Sequence, residues 1–161
     1  MISRAALARS DEDLCRAFAG LDHGSAVLRA VVACELLARA SARPDVRKWL
    51  CGYLGGLKLS EGARYQLANA WCRLGVEARR GGDLDGAIDC ARKALDAIAD
   101  LPALAITANL HYNLAIALET TGDAEAAQAA FRDSAEIDEM IGRPGPATEA
   151  RRRADALRRR S

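Results

Sequence analysis

Apolar side chains along this chain recur at helical spacing, and no stretch alternates apolar and polar residues as a half-buried strand would. Turn and cap residues divide the pattern into segments. Ser10 with Asp13 predicts a short helix to about Phe18 that stops near Gly20. After a loop over Leu21-Asp22-His23-Gly24-Ser25, an amphipathic helix is expected from about Ala26 to Ala40. Pro44 opens the next, which ends at Gly55-Gly56. Ser60-Glu61 begins a long helix to Arg80, and Gly81-Gly82-Asp83 makes a tight turn in which Asp83 can cap the next helix. That helix is predicted over Leu84–Ala99, another from Pro102 to Thr121, and a third from the Gly122-Asp123 turn to Met140. The segment Gly142-Arg143-Pro144-Gly145-Pro146 reads as a break before a last basic helix. The expected fold is therefore all-α, with seven or eight helices. Their short connections imply antiparallel neighbours.

Part of the chain repeats. A shift of 40 residues places Ala68 and Asn69 on Ala108 and Asn109, Leu74 on Leu114, Gly82-Asp83 on Gly122-Asp123, Ala87 on Ala127 and Arg92 on Arg132. The matches fall on a first helix, a Gly-Asp turn and the start of a second helix, as they do when one helical hairpin is used twice. Here the chain resembles the tetratricopeptide repeat, whose pattern is Trp-x-x-Leu-Gly-x-x-Tyr, then Ala-x-x-x-Phe, then Pro. Trp71, Leu74, Gly75 and Ala87 fit the first unit; Leu114, Ala127 and Phe131 fit the second. Ala78 and Ala91 replace the Tyr and Phe of the first unit, and His111, Ala115 and Leu118 are substitutions in the second. The 40-residue spacing exceeds the family's usual length of about 34, with the extra residues around Ile98–Pro102. Gly75 and Ala115, facing Ala87 and Ala127, would let paired helices approach closely, while Trp71 and Phe131 fill the space between hairpins.

The resemblance implies a short right-handed array of antiparallel hairpins. The expected divisions are irregular N-terminal helices or a cap over 1–64, repeats over 65–102 and 103–146, and a basic capping helix over 147–161. Trp49 and Leu50 would anchor an N-terminal hairpin to the array. The resemblance also implies a concave groove walled by the first helix of each hairpin. Its first wall would carry Asn69, Cys72, Arg73, Val76 and Arg80, and its second Asn109, Tyr112, Asn113, Ile116 and Glu119. Asparagine is a poor helix-interior residue, so three on one face ask for a reason. They could bond a peptide backbone, the arginines could pair carboxylates, and Tyr112, Val76 and Ile116 could give apolar contact. Family members that clamp chaperone tails need a basic residue where Cys72 stands and an asparagine where Val76 stands. Asn113 alone fits that clamp, so chaperone-tail binding is not expected.

Composition narrows the function further. Half the residues are hydrophobic but only 4% are aromatic, so the core is built from Ala and Leu contacts that suit closely packed helices. Net charge is +1, which gives no overall field for nucleic acid or membrane. The exception is local: from Ala147 to Ser161 six arginines oppose Glu149 and Asp155, a net +4 that leaves −3 for the rest. Arg151, Arg152, Arg158 and Arg159 are candidate contacts for an acidic partner, while the lack of interleaved aromatics disfavours nucleic acid. Five cysteines, odd in number and without a Cys-x-x-Cys pair, read as buried small side chains in a reducing compartment. No secretion signal or membrane span is evident, so a cytoplasmic location is expected. No catalytic motif, phosphate loop or metal-ligand spacing is found, and no cofactor is expected. His111, at the position of Trp71, is read as a packing residue. The expected role is thus protein–protein or peptide recognition, as a non-enzymatic adaptor or regulator. The alternatives are binding of an acidic partner or nucleic acid through the C-terminal helix, and a small-molecule or enzymatic role around His23, Cys34 and Cys51. Homodimerisation is a further option, since short arrays can hide apolar ends that way.

Overall fold

The computed structural model describes Gly52 and residues 58–159. The helices expected before Ser60, Trp49 and Leu50, the cluster of His23, Cys34 and Cys51, and Arg160 lie outside the described residues. The described residues form five helices and no strand: α1 (Glu61–Arg80), α2 (Leu84–Ala97), α3 (Ala105–Thr121), α4 (Ala124–Met140) and α5 (Pro144–Arg158).

Three of the helix starts are the ones the cap residues predict. The Ala63 N–H donates to Ser60 Oγ at 3.4 Å, Gly86 N–H to Asp83 Oδ1 at 2.8 Å, and Ala126 N–H to Asp123 Oδ1 at 3.1 Å. Each bond satisfies an amide that has no partner within the helix. The two Gly-Asp turns are near copies. Gly82 and Gly122 take left-handed φ values of 85° and 90°, which lets Asp83 and Asp123 bond back to the carbonyls of Ala78 and Leu118 at 2.9 and 3.0 Å.

Two boundaries differ from expectation. Helix α3 begins at Ala105, not at Pro102. Pro102 belongs instead to a connector tied to α1: the Tyr65 hydroxyl donates to its carbonyl at 2.6 Å. Beside it Arg64 pairs with Asp100 and donates through Nε to the Ala97 carbonyl at 2.7 Å, an acceptor freed by the end of α2. Helix α5 begins at Pro144, inside the segment expected as a break. The turn is complete by Arg143, whose N–H bonds the Asp138 carbonyl at 2.7 Å while Gly142 takes φ 76°. The two prolines then occupy the first turn, where a missing N–H costs nothing.

The helices pack as successive antiparallel neighbours, α1 on α2, α3 on α4 and α4 on α5, with α2 against α3 and α1 beside α3. Small residues set the closest approach: a Cβ on Gly75 would lie 3.2 Å from Cys90 Cβ and 3.3 Å from the Ala87 carbonyl oxygen. Phe131 is fully enclosed in a core with Ala115, Leu118, Ala127, Ala154 and Leu157, so α5 completes the apolar seam of the α3–α4 hairpin.

Candidate partner-binding groove

Helices α1 and α3 open the two hairpins and α5 follows the second, and the 40-residue register can be carried from one to the next. It aligns Arg73 with Asn113 and Arg153, Val76 with Ile116 and Ala156, and Arg79 with Glu119 and Arg159. Contacts between these helices agree with the alignment. Asn113 Nδ2 lies 3.5 Å from Cys72 Sγ, linking α3 to α1. Burial pushes the Cys72 thiol above its usual pKa, against the opposing effect of that Asn113 contact. A narrow cleft opens at this junction, with Val76, Arg79 and Asn113 near its mouth and Trp71 and Leu110 among its walls.

Between α3 and α5 the links are charged and aromatic. Arg153 pairs with Glu119, and its guanidinium lies 4.9 Å from the centroid of Phe131 and 5.9 Å from that of Tyr112. The Tyr112 ring meets Phe131 edge-on, with centroids 5.2 Å apart and an interplanar angle of 72°. Arg153 is thereby held by a carboxylate on one side and two rings on the other.

The predicted groove residues differ in exposure. Asn69, Arg73, Arg80 and Asn109 are exposed, and Asn69 Nδ2 bonds the carbonyl of Tyr65, one turn back on its own helix, at 3.0 Å. Val76, Asn113 and Ile116 are half-buried. Tyr112 is half-buried as well, with its ring engaged by Phe131 and Arg153. On α5, Arg151 pairs with Glu139 at 2.6 Å and Arg152 with Glu149 at 2.9 Å. Arg158 and Arg159 are exposed and form no ion pair among the described residues; Arg159 Nε donates to the Asp155 carbonyl at 3.3 Å. Sequence reasoning passed over Arg79 and Arg153. The signal was present, since the 40-residue register runs past Pro146 into α5, but Ala and Arg there replace the repeat's larger apolar residues.

A family model described as tetratricopeptide repeat matches residues 66–140, the span from α1 to the end of α4. Residues 66–140 belong to the tetratricopeptide repeat family. No curated protein and no solved structure matches the chain. Tetratricopeptide repeats generally mediate protein–protein interaction, and the all-helical arrangement of hairpins agrees with a solenoid of that kind. Helix α5 lies beyond the matched residues and packs on α4. Among the described residues no helix is long and apolar enough to cross a membrane, and no group of three or more His, Cys, Asp or Glu is placed to hold a metal ion.

Proposed function

We propose that the protein is a non-catalytic adaptor or regulator that holds a peptide or partner-protein segment across α1, α3 and α5. The observation that carries this reading is the register of the three helices. Arg153 reaches Glu119 and Tyr112 from α5, as expected of helices that stand side by side along one wall. The exposed Asn69 and Asn109 supply hydrogen-bonding groups for an extended backbone, and Val76 and Ile116 supply apolar contact.

The alternative site, the basic C-terminal helix, largely merges with this one. Arg152, Arg153 and Arg159 fall in the groove register, so an acidic partner attracted by α5 would meet the same surface. The outward face of α5 carries Thr148, Arg151, Asp155 and Arg158, all exposed. This polar end favours a monomer over a dimer formed there.

Affinity capture on the full chain tests the proposal, comparing wild type with Arg73→Glu/Asn109→Ala. Both residues are exposed, and the variant is compared only once it matches wild type in helicity and melting. Arg92→Glu, exposed on α2, is the control. A partner held by wild type and Arg92→Glu but lost by the double variant supports groove binding. Equal capture by all three places the site elsewhere.

A further inference from the structure

The occupant can be described further from the charges along the three helices, and this inference rests on the groove reading. We propose that the groove takes an extended acidic segment of a partner protein, with carboxylates at both ends and an uncharged, apolar centre. Arg79 and Arg80 stand at the C-terminal end of α1 and Arg159 at that of α5, and none of them forms an ion pair among the described residues. Arg79 borders the cleft beside Val76 and Asn113, on the face of α1 that meets α3.

The middle helix breaks the basic row. Glu119 occupies the register position of Arg79 and Arg159, and Arg153 neutralises it. The Thr120 hydroxyl is committed to the Ile116 carbonyl at 2.8 Å. The centre of the groove therefore presents Ile116 and no net charge, between two cationic ends. A carboxylate in the centre would meet Glu119 with its arginine already taken. A carboxylate at either end would meet a guanidinium able to bind it through two donors.

Geometry sets the spacing. Helix α1 packs directly beside α3, while α5 meets α3 through side chains such as Arg153, so α1 and α5 are separated by about 20 Å or more across α3. An extended chain advances about 3.3 Å per residue. The two acidic positions should then stand about six or more residues apart, with apolar residues between them over Ile116. The same pattern would repel a basic segment and would bind a segment acidic at one end only more weakly.

The test is selection of random peptides, each about twelve residues long, displayed on phage against the full chain. Enriched peptides would then be titrated by fluorescence polarisation against wild type, Arg79→Glu/Arg80→Glu, Arg159→Glu and Arg73→Glu/Asn109→Ala. All variants must first match wild type in helicity and melting. The expected result is two acidic positions about six or more residues apart, a loss on the order of tenfold or more with each end variant, and weakening with salt. Enriched peptides that are neutral, basic or acidic at one position only, yet weakened by Arg73→Glu/Asn109→Ala, overturn the charge pattern and leave the groove reading standing. Peptides insensitive to every variant, or no enrichment at all, overturn both.

Discussion

Asp138 is the least expected residue in the core. It is 2% exposed, at the register position held by Ile98 in the first repeat, and its Oδ1 lies 3.2 Å from Arg143 Nη1. The charges are close, but the alignment of a hydrogen bond is missing, so Oδ1 is paired in charge and unsatisfied as an acceptor. Removing the cation should cost more than removing the acid. Arg143→Ala is expected to lower stability by about 1–3 kcal/mol, below the roughly 3–5 kcal/mol of a fully enclosed pair because solvent reaches the guanidinium. Asp138→Ile should be neutral or stabilising. Urea denaturation of both variants checks the ordering, and a larger loss for Asp138→Ile would refute it. A second residue gives stability a pH dependence. His111 stands where the first repeat has Trp71, which lies under Lys93 Nζ at 5.0 Å; His111 Nδ1 instead sits 3.5 Å from Asp133. Burial pushes the His111 pKa below its ordinary 6.5, and Asp133 only partly opposes the shift. The unfolded chain therefore takes up a proton more readily as pH falls through 6.5, so stability present above that pH is lost below it. The wild-type melting temperature should fall between about pH 7.5 and 5.5, and His111→Phe should flatten the fall. An unchanged slope in the variant would assign the titration elsewhere.

At the scale of the helix pair, the two hairpins solve the same packing problem with different volumes. The first sets Gly75 against Cys90, while the second has Ala115 and Ala130 at the matching positions. A larger side chain on one helix is offset by a smaller one on its neighbour. Gly75→Val should thus destabilise by about 1–3 kcal/mol, because its Cβ starts 3.2 Å from that of Cys90. Adding Cys90→Ala should recover part of the loss. Thermal melts of the two single variants and the double variant measure that coupling, and strict additivity would show that the two sites do not compete for space. The turns obey a simpler rule. Asp83 and Asp123 were legible as caps because a short side chain beside a left-handed glycine needs only its own segment to form its bonds. The ends around residues 98–104 were not, because Arg64 and Tyr65 fix that connector from a helix more than 30 residues earlier.

For the whole array, α5 is structural before it is anything else. It buries Ala147, Ala150, Ala154 and Leu157 and covers Phe131 on α4. Deleting residues 144–161 should therefore lower the melting temperature and reduce helicity beyond the share of one helix, measured by circular dichroism. A truncated chain that kept the wild-type melting temperature would show α5 to be an appendage. Binding tests consequently need point changes, since deletion would confuse lost binding with lost folding. The candidate groove was only partly legible for the same reason. Asn69, Arg73 and Asn109 could be placed from the repeat, but Arg153 owes its position to Glu119, Tyr112 and Phe131, all distant in sequence. By itself the sequence determined the helical class, the cap and turn positions from Ser60 to Asp123, and the 40-residue repeat, because propensity, capping and glycine turns act within a few residues. Tertiary structure alone decided that α5 reaches α3 through Arg153, that Tyr112 packs edge-on against Phe131, and which arginines on α5 are taken up by carboxylates. Those outcomes depend on which distant side chains meet when the hairpins bury their apolar faces.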